Sequence, residues 1–385
     1  MFRSTHCITP YGCKRVGNAD DGQSHDGRLA DNAGTVRDAF PSQQGFTTMS
    51  ARNRRAQMAS VGRGRSTIGF RIDYSGTVRR PACIERGMTW YACSRSRTIE
   101  WSNDCRQRTW EALTAGIGHA STQLPGRVAI VVAHPDDEIV SAGALLRRLS
   151  LNSRQIHVIH VTDGAPLNGV DARAHGFRCV ASYRRERRRE LSRALTKAEI
   201  ECAHPVTIGI ADQRAAYSLL PLTQTIAEYL RSRPVDVVLT HPFEGGHPDH
   251  DACAFAVHAA ITILRNDLRP LIAEFTSYHA GGDGIRTGAF LNNSPSQDAV
   301  LALRVSEQLI KRRARDCFVS QAAVLAPFPI AYERFRMAPP YAFACAPHQG
   351  RLFYEHFEWG LDAARWQSLA AGALRSLGFG AGACL

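Results

Sequence analysis

The texture of apolar and polar positions changes once along this chain, at about residue 126. Residues 1–120 scatter Gly, Ser, Arg and Asp with no sustained period of 2 or 3.6, a pattern that predicts a disordered or weakly structured extension. From residue 121 to about 375 regular patterns follow one another and predict one folded domain. "RVAIVVA" (127–133) is a continuous β-branched run, as expected of a strand covered on both faces of a parallel sheet. Glu138–Leu151 carries apolar residues at helical spacing. "QIHVIHVTDG" predicts a second strand, "YRRERRRELSRALTKAEI" a basic amphipathic helix, "HPVTIGI" a third strand, "LTQTIAEYLRSR" a helix and "VDVVLTHP" a fourth strand. "PDHDACAFAVHAAITILR" then predicts a helix entered through a glycine-rich turn.

Four strand–helix alternations at short spacing indicate an α/β fold, a Rossmann-like and mostly parallel sheet with helices on both faces. Beyond it, "LIAEFTSYHA" and "DAVLALRV" read as strands, and Ser306 reads as the cap of a helix running through "EQLIKRRARDCFVSQ". The proline- and aromatic-rich tail reads as an extended wrap with a last edge strand over Leu352–Phe357.

Composition narrows the picture. The formal net charge of +12 would suggest a polyanionic partner if it lay on a folded face. Residues 1–127 hold 19 basic against 10 acidic residues, leaving 28 against 25 for the remainder, so the domain is nearly neutral. Arginines without interleaved aromatics or a known module argue against specific nucleic-acid recognition. No G-x-G-x-x-G or Walker pattern supports nucleotide binding. No apolar run reaches the length of a membrane span, and the first residues lack an apolar signal core, so the expected compartment is the cytoplasm. The 11 cysteines include no C-x-x-C pair, and Cys179, Cys202, Cys253 and Cys317 read as small core residues.

Ligands of such a sheet bind beyond the carboxyl ends of its strands. Three loops leave those ends with polar cargo: "HPDDE", "TDGAP" and "THPFEGGHPDH". Crowding Asp136, Asp137 and Glu138 beside His134 is costly unless a cation neutralises them. His134 and Asp137 are N and O donors three residues apart, and His247 and His250 repeat that spacing. A catalytic zinc takes three such ligands and keeps one position open. His134, Asp137 and one histidine of the second motif meet that need. Asp136 is then placed to take a proton from water, and the other histidine to stabilise charge or protonate a leaving amine. Iron(II) suits the same N/O donors.

"AHPDDE" at a strand end, paired with "GHPDH", resembles the LmbE/PIG-L family of metal-dependent de-N-acetylases. The resemblance implies that His134, Asp137 and His250 hold the metal and that Asp136 is the general base. It makes His247 the electrostatic stabiliser or general acid, with Asp249 orienting it. The family's R-x-x-E matches Arg187 and Glu190, and Thr162-Asp163-Gly164 resembles its second loop. Arg187, Glu190 and Asp163 are therefore candidate substrate contacts. Some members carry a tyrosine where this chain has Gly245, so the donor to the oxyanion is left open.

Simpler readings stand beside these. Glu138 is read equally well as an acidic first turn of a helix. His157 and His160 alternate on a strand and read as structural. His241 is either support for the site or a core histidine, and "RRERRRE" is a solvated helix face. The expected function is removal of an N-acyl group, N-acetyl first, from an amino sugar or sugar conjugate. The alternatives are an amidase of the same fold acting on a non-sugar N-acyl metabolite, and a non-catalytic binding protein with a basic N-terminal tail.

Overall fold

The computed structural model describes residues 103–118, 124–201, 203–281, 284–291, 298–380 and 382–385. The expected extension over residues 1–120 lies mostly outside that set. The part inside it forms helix α1, Asn103–Gly118. Its Leu113 is fully buried, with Trp110 half-buried against the same core. Two apolar residues three apart in a polar helix leave too faint a stripe to read from sequence.

Strand β1 (Arg127–Val132) is the axis of the domain. Val128, Ile130 and Val132 enter one core and Ala129 and Val131 the other, so the continuous apolar run serves two layers. Each of the three valines and Ile130 contributes about 1.5–3 kcal/mol on burial. Helix α2 (Asp137–Leu151) leads to β2 (Gln155–Pro166), which continues through the expected TDG loop as extended chain. The short α3 (Val170–Ala174) and the basic α4 (Val180–Lys197) follow, then β3 (Ala203–Asp212), α5 (Leu219–Ser232), β4 (Val237–Thr240) and α6 (Pro248–Ile263).

The strand expected over residues 271–280 is two: β5 (Leu271–Phe275) stays in the main sheet, while β6 (Tyr278–Gly281) turns away to pair with β7 (Gly284–Thr287). After β8 (Ala299–Ala302), helix α7 spans Val305–Arg315. Its cap is Arg304, two residues before the expected Ser306, and Glu307 reaches back to the Arg304 N–H at 2.9 Å. The helix also ends before Gln321. A short α8 (Ala322–Leu325) precedes β9 (Tyr332–Met337), which lies inside the supposed extended tail. No strand forms over Leu352–Phe357. Phe353–His356 is a 3-10 turn instead, and α9 (Ala363–Ser376), unread in the sequence, seals the domain with buried Trp366.

The seven strands run β3-β2-β1-β4-β5-β9-β8. The first five are parallel, β9 pairs antiparallel with β5, and β8 pairs antiparallel with β9. The apolar faces of α2, α4 and α7 build one core and those of α5, α6 and α9 the other. The mostly parallel α/β expectation holds. Strand order reverses between β1 and β4, where the chain leaves toward opposite faces, and that is where open α/β sheets bind ligands. Of the cysteines read as core, Cys253 is buried and Cys317 half-buried, whereas Cys179 is exposed at the entry to α4 and Cys202 lies outside the described residues. No described helix is long and apolar enough to cross a membrane.

Candidate active site

The loops after β1 and β4 bring both histidine motifs to the switch point. Asp136 caps α2, its carbonyl accepting from Ile139 N–H and Val140 N–H at 3.0 and 3.1 Å. His247 caps α6, with Pro248 in the first turn where no backbone donor is needed. The turn between β4 and α6 depends on glycine: Gly245 has φ 70°, and a Cβ at Gly246 would run into the Tyr278 carbonyl.

Three of the four expected donors converge. His134 Nδ1 lies 3.4 Å from Asp137 Oδ2 and 3.3 Å from His250 Nε2, and His250 Nε2 lies 3.4 Å from Asp137 Oδ1. With metal–ligand bonds of about 2.0–2.1 Å, the edges of a tetrahedron are about 3.3–3.4 Å. The two histidine nitrogens stand at that edge length, with a different oxygen of Asp137 3.4 Å from each, a donor set suited to a divalent ion.

His134, His247 and His250 also converge, as do Asp137, His241 and His250. His241 is a poorer ligand, because its Nε2 already accepts from the Ala133 N–H at 3.1 Å. It stacks flat on His250 at 3.9 Å and supports the site from behind.

The backs of the ligand rings are held. His134 Nε2 donates to Asp212 Oδ1 at 3.1 Å, which leaves Nδ1 for the metal. Ser277 Oγ lies 3.0 Å from His250 Nδ1 and fixes that ring with Nε2 forward. Outer partners of this kind orient metal-binding histidines. Neither residue was read from the sequence. The available signal was position: Asp212 ends the third strand and Ser277 follows the fifth, on the same rim as the motifs.

Charge is arranged to match. Burial disfavours the charged form of Asp137, yet His250 and His241 hold its carboxyl well below the ordinary range. Burial likewise opposes a charged His134, but Asp212, Asp137 and Asp249 outweigh it and raise its pKa. Burial pushes Asp136 up to about 6, with Arg187 pulling it down and Asp137 pushing the same way as burial. A carboxylate poised near neutrality suits a general base. Burial and the neighbouring His134 take His247 down to about 3. Its Nδ1 accepts from the Asp249 N–H at 3.1 Å, so the neutral ring carries its proton on Nε2, which is buried and has no hydrogen-bond partner.

The remaining expected site residues lie nearby, Asp249 Oδ2 being 3.5 Å from His134 Nε2. The backbone of Asp249 meets His247, but its carboxylate accepts from Gln213 N–H at 2.6 Å and Ala215 N–H at 2.9 Å, so it braces a loop. Arg187 Nη2 grips Asp136 Oδ2 at 2.9 Å, while its Nε and Nη1 are unpartnered. Gly164 makes room for that guanidinium, since a Cβ there would meet Arg187 Nε at 2.8 Å. Glu190 accepts from Ser320 N–H at 2.8 Å and Ser320 Oγ at 2.6 Å, tying α4 to the segment after α7. Asp163 pairs with Arg184 at 2.6 Å, and burial pushes its pKa up to about 6. Glu138 meets His160 at 3.0 Å with both side chains fully buried, and His157 meets Tyr229 Oη at 3.1 Å, so these read as structural pairs.

Residues 129–261 match the family model described as PIG-L, GlcNAc-PI de-N-acetylase. Among solved structures, the A40926 pseudoaglycone deacetylase Dbv21 is similar, at 17% identity over 55% of this chain and 96% of that one, with a TM-score of 0.44. The N,N'-diacetylchitobiose deacetylase of Pyrococcus horikoshii is similar at 16% identity over 64% of this chain and 94% of that one, with a TM-score of 0.44. The 4-carboxy-2-hydroxymuconate hydratase GalB of Pseudomonas putida is similar at 16% identity over 52% and 82%, with a TM-score of 0.38. None of the curated proteins searched by sequence matches.

Proposed function

Residues 129–261 form a domain of the PIG-L (LmbE-like) family, and from that premise we propose that the protein is a metal-dependent de-N-acetylase acting on an N-acetylated amino sugar or its conjugate. The observation that carries the proposal is the gathering of His134 Nδ1 and His250 Nε2, 3.3 Å apart, with Asp137 Oδ2 3.4 Å from the first and Oδ1 3.4 Å from the second. When bound there, a divalent ion supplies Lewis-acid polarisation of the amide carbonyl; zinc suits the donors, as does iron(II).

The side chains supply the rest. Asp136 accepts the proton of the attacking water, and the guanidinium of Arg187 holds its carboxylate in place. His247 is locked neutral by the amide at its Nδ1, so it acts as an Nε2–H donor to the carbonyl oxygen as charge develops. Of the two roles open to it, stabilisation is favoured over proton donation. Asp136 then returns its proton to the departing amine, and water plus amide has become acetic acid plus amine, which part as acetate and ammonium once the acid's proton passes to the amine.

Two measurements test the proposal. Purified protein should bind about one divalent ion per chain, and N-acetylglucosamine or its conjugates should release acetate only while the metal is present. Metal-independent turnover, or metal-replete protein that releases no acetate from any N-acetyl sugar, would overturn it.

A further inference from the structure

The segment from Leu352 to Gly360 lies against the second histidine motif and is pinned at both ends. Phe353 N–H donates to the Gly245 carbonyl at 2.9 Å, and Tyr217 Oη donates to the Gly360 carbonyl at 2.8 Å. Between them Glu355 accepts from Leu352 N–H and Ala363 N–H, both at 2.8 Å. Leu352 sits directly over Gly245, where a Cβ would meet Leu352 Cδ2 at 2.8 Å. Glycine at 245 thus admits this segment to the rim.

What the segment delivers is aromatic surface. The Trp359 ring lies 4.7 Å from that of His247, and Phe357 stacks on Trp359 at 4.6 Å with 16° between planes. Both are only half-buried, although each packs partly on a core. The two stacked rings stand partly open beside His247, and binding sites combine apolar walls with a few placed polar groups.

Resting on the proposed function, we infer that Phe357 and Trp359 form the wall on which the apolar C–H face of the substrate's pyranose ring lies, and so determine specificity for a cyclic amino sugar. The negative face of an aromatic ring attracts the partly positive C–H groups of one sugar face. The hydroxyls on the ring's rim stay free for polar partners, and the N-acetyl group reaches His247. A small acyclic amide has no such face and gains nothing from the wall.

The test uses the full chain, with N-acetylglucosamine as sugar probe and N-acetylglycine as acyclic probe. Saturation-transfer NMR should show the sugar's ring C–H protons in contact with the wild-type protein. Trp359→Ala should weaken sugar binding about three- to tenfold and raise KM for the sugar, with metal content kept and a smaller loss on N-acetylglycine than on the sugar. Trp359→Phe should restore most of the binding and serves as the variant if the alanine form does not fold. Ring contact without acetate release would refute the reaction and leave the wall standing. No ring contact in the wild type, or a Trp359→Ala protein that binds the sugar unchanged, would overturn the wall. Equal losses on both probes would also overturn it.

Discussion

Across the floor of the site, His134 Nε2 donates at 3.1 Å to Asp212 Oδ1, a carboxylate oxygen 78 residues further along the chain. That bond decides which imidazole nitrogen faces Asp137 and His250. It also makes a testable separation between holding a metal and doing chemistry. Asp212→Asn should weaken metal affinity about 10–100-fold, as loss of such partners does, and added metal should restore much of the turnover. Chelator competition alongside acetate release measures both. Unchanged affinity would remove Asp212 from the site.

Asp136 and Asp137 are neighbours in sequence with different surroundings. Asp137 lies between two ligand histidines, whereas Asp136 is gripped by Arg187. Asp136→Asn keeps the shape and removes the basicity, so it should retain metal while kcat falls about 10²–10⁴-fold. Asp137→Asn should lose metal first. Metal content measured beside turnover settles the pair, and the reverse pattern would exchange their roles.

Glu333 of β9 reaches across to two other elements. It accepts from Lys311 Nζ at 2.8 Å, from Ala144 N–H at 2.8 Å and from Leu145 N–H at 3.0 Å, with Glu333 and Lys311 both buried. Glu333→Ala would leave the buried Lys311 ammonium without its carboxylate, at a cost of about 3–5 kcal/mol, or a midpoint lower by roughly 10 °C. None of these atoms touches the site, so kcat at low temperature should be unchanged. A midpoint within about 2 °C of the wild type would show that the contact is not held in solution.

The parallel sheet was legible because its strands are covered on both faces and read as unbroken apolar runs, β1 most clearly. The motif residues His134, Asp137 and His250 were legible because donors at i and i+3 beside a strand end leave a local signature. What stayed hidden depends on partners distant in the chain. Asp212 and Ser277 are single polar residues whose meaning comes only from the rings they meet. Glu190 was a candidate only through the R-x-x-E pattern it shares with Arg187, and in the fold its carboxylate accepts from Ser320. β9 was missed because its burial alternates over charged Glu333 and Arg336, whose partners are supplied by other elements.

Glu244 gives the fold a dependence on pH that can be isolated. Its Oε1 accepts from Leu291 N–H at 2.8 Å and lies 3.5 Å from Arg336 Nη2, while its buried Oε2 has no partner. Burial outweighs the pull of Arg336 and takes its pKa up to about 8. An unfolded glutamate releases its proton near pH 4.3, on the order of the free side chain. Between those values the folded state holds the proton and the unfolded state does not, so stability falls as pH rises. The contribution is fully present below the unfolded pKa and is lost by the time pH has passed about 8. Glu244→Gln copies the protonated shape and cannot ionise. Relative to wild type, the variant should therefore gain stability as pH climbs from 5 to 8, by at most about 1.4 kcal/mol per pH unit, and the gain should level off above that. Thermal midpoints of both proteins across this range give the difference directly. A difference that stays constant with pH would mean that Glu244 is already ionised in the folded protein.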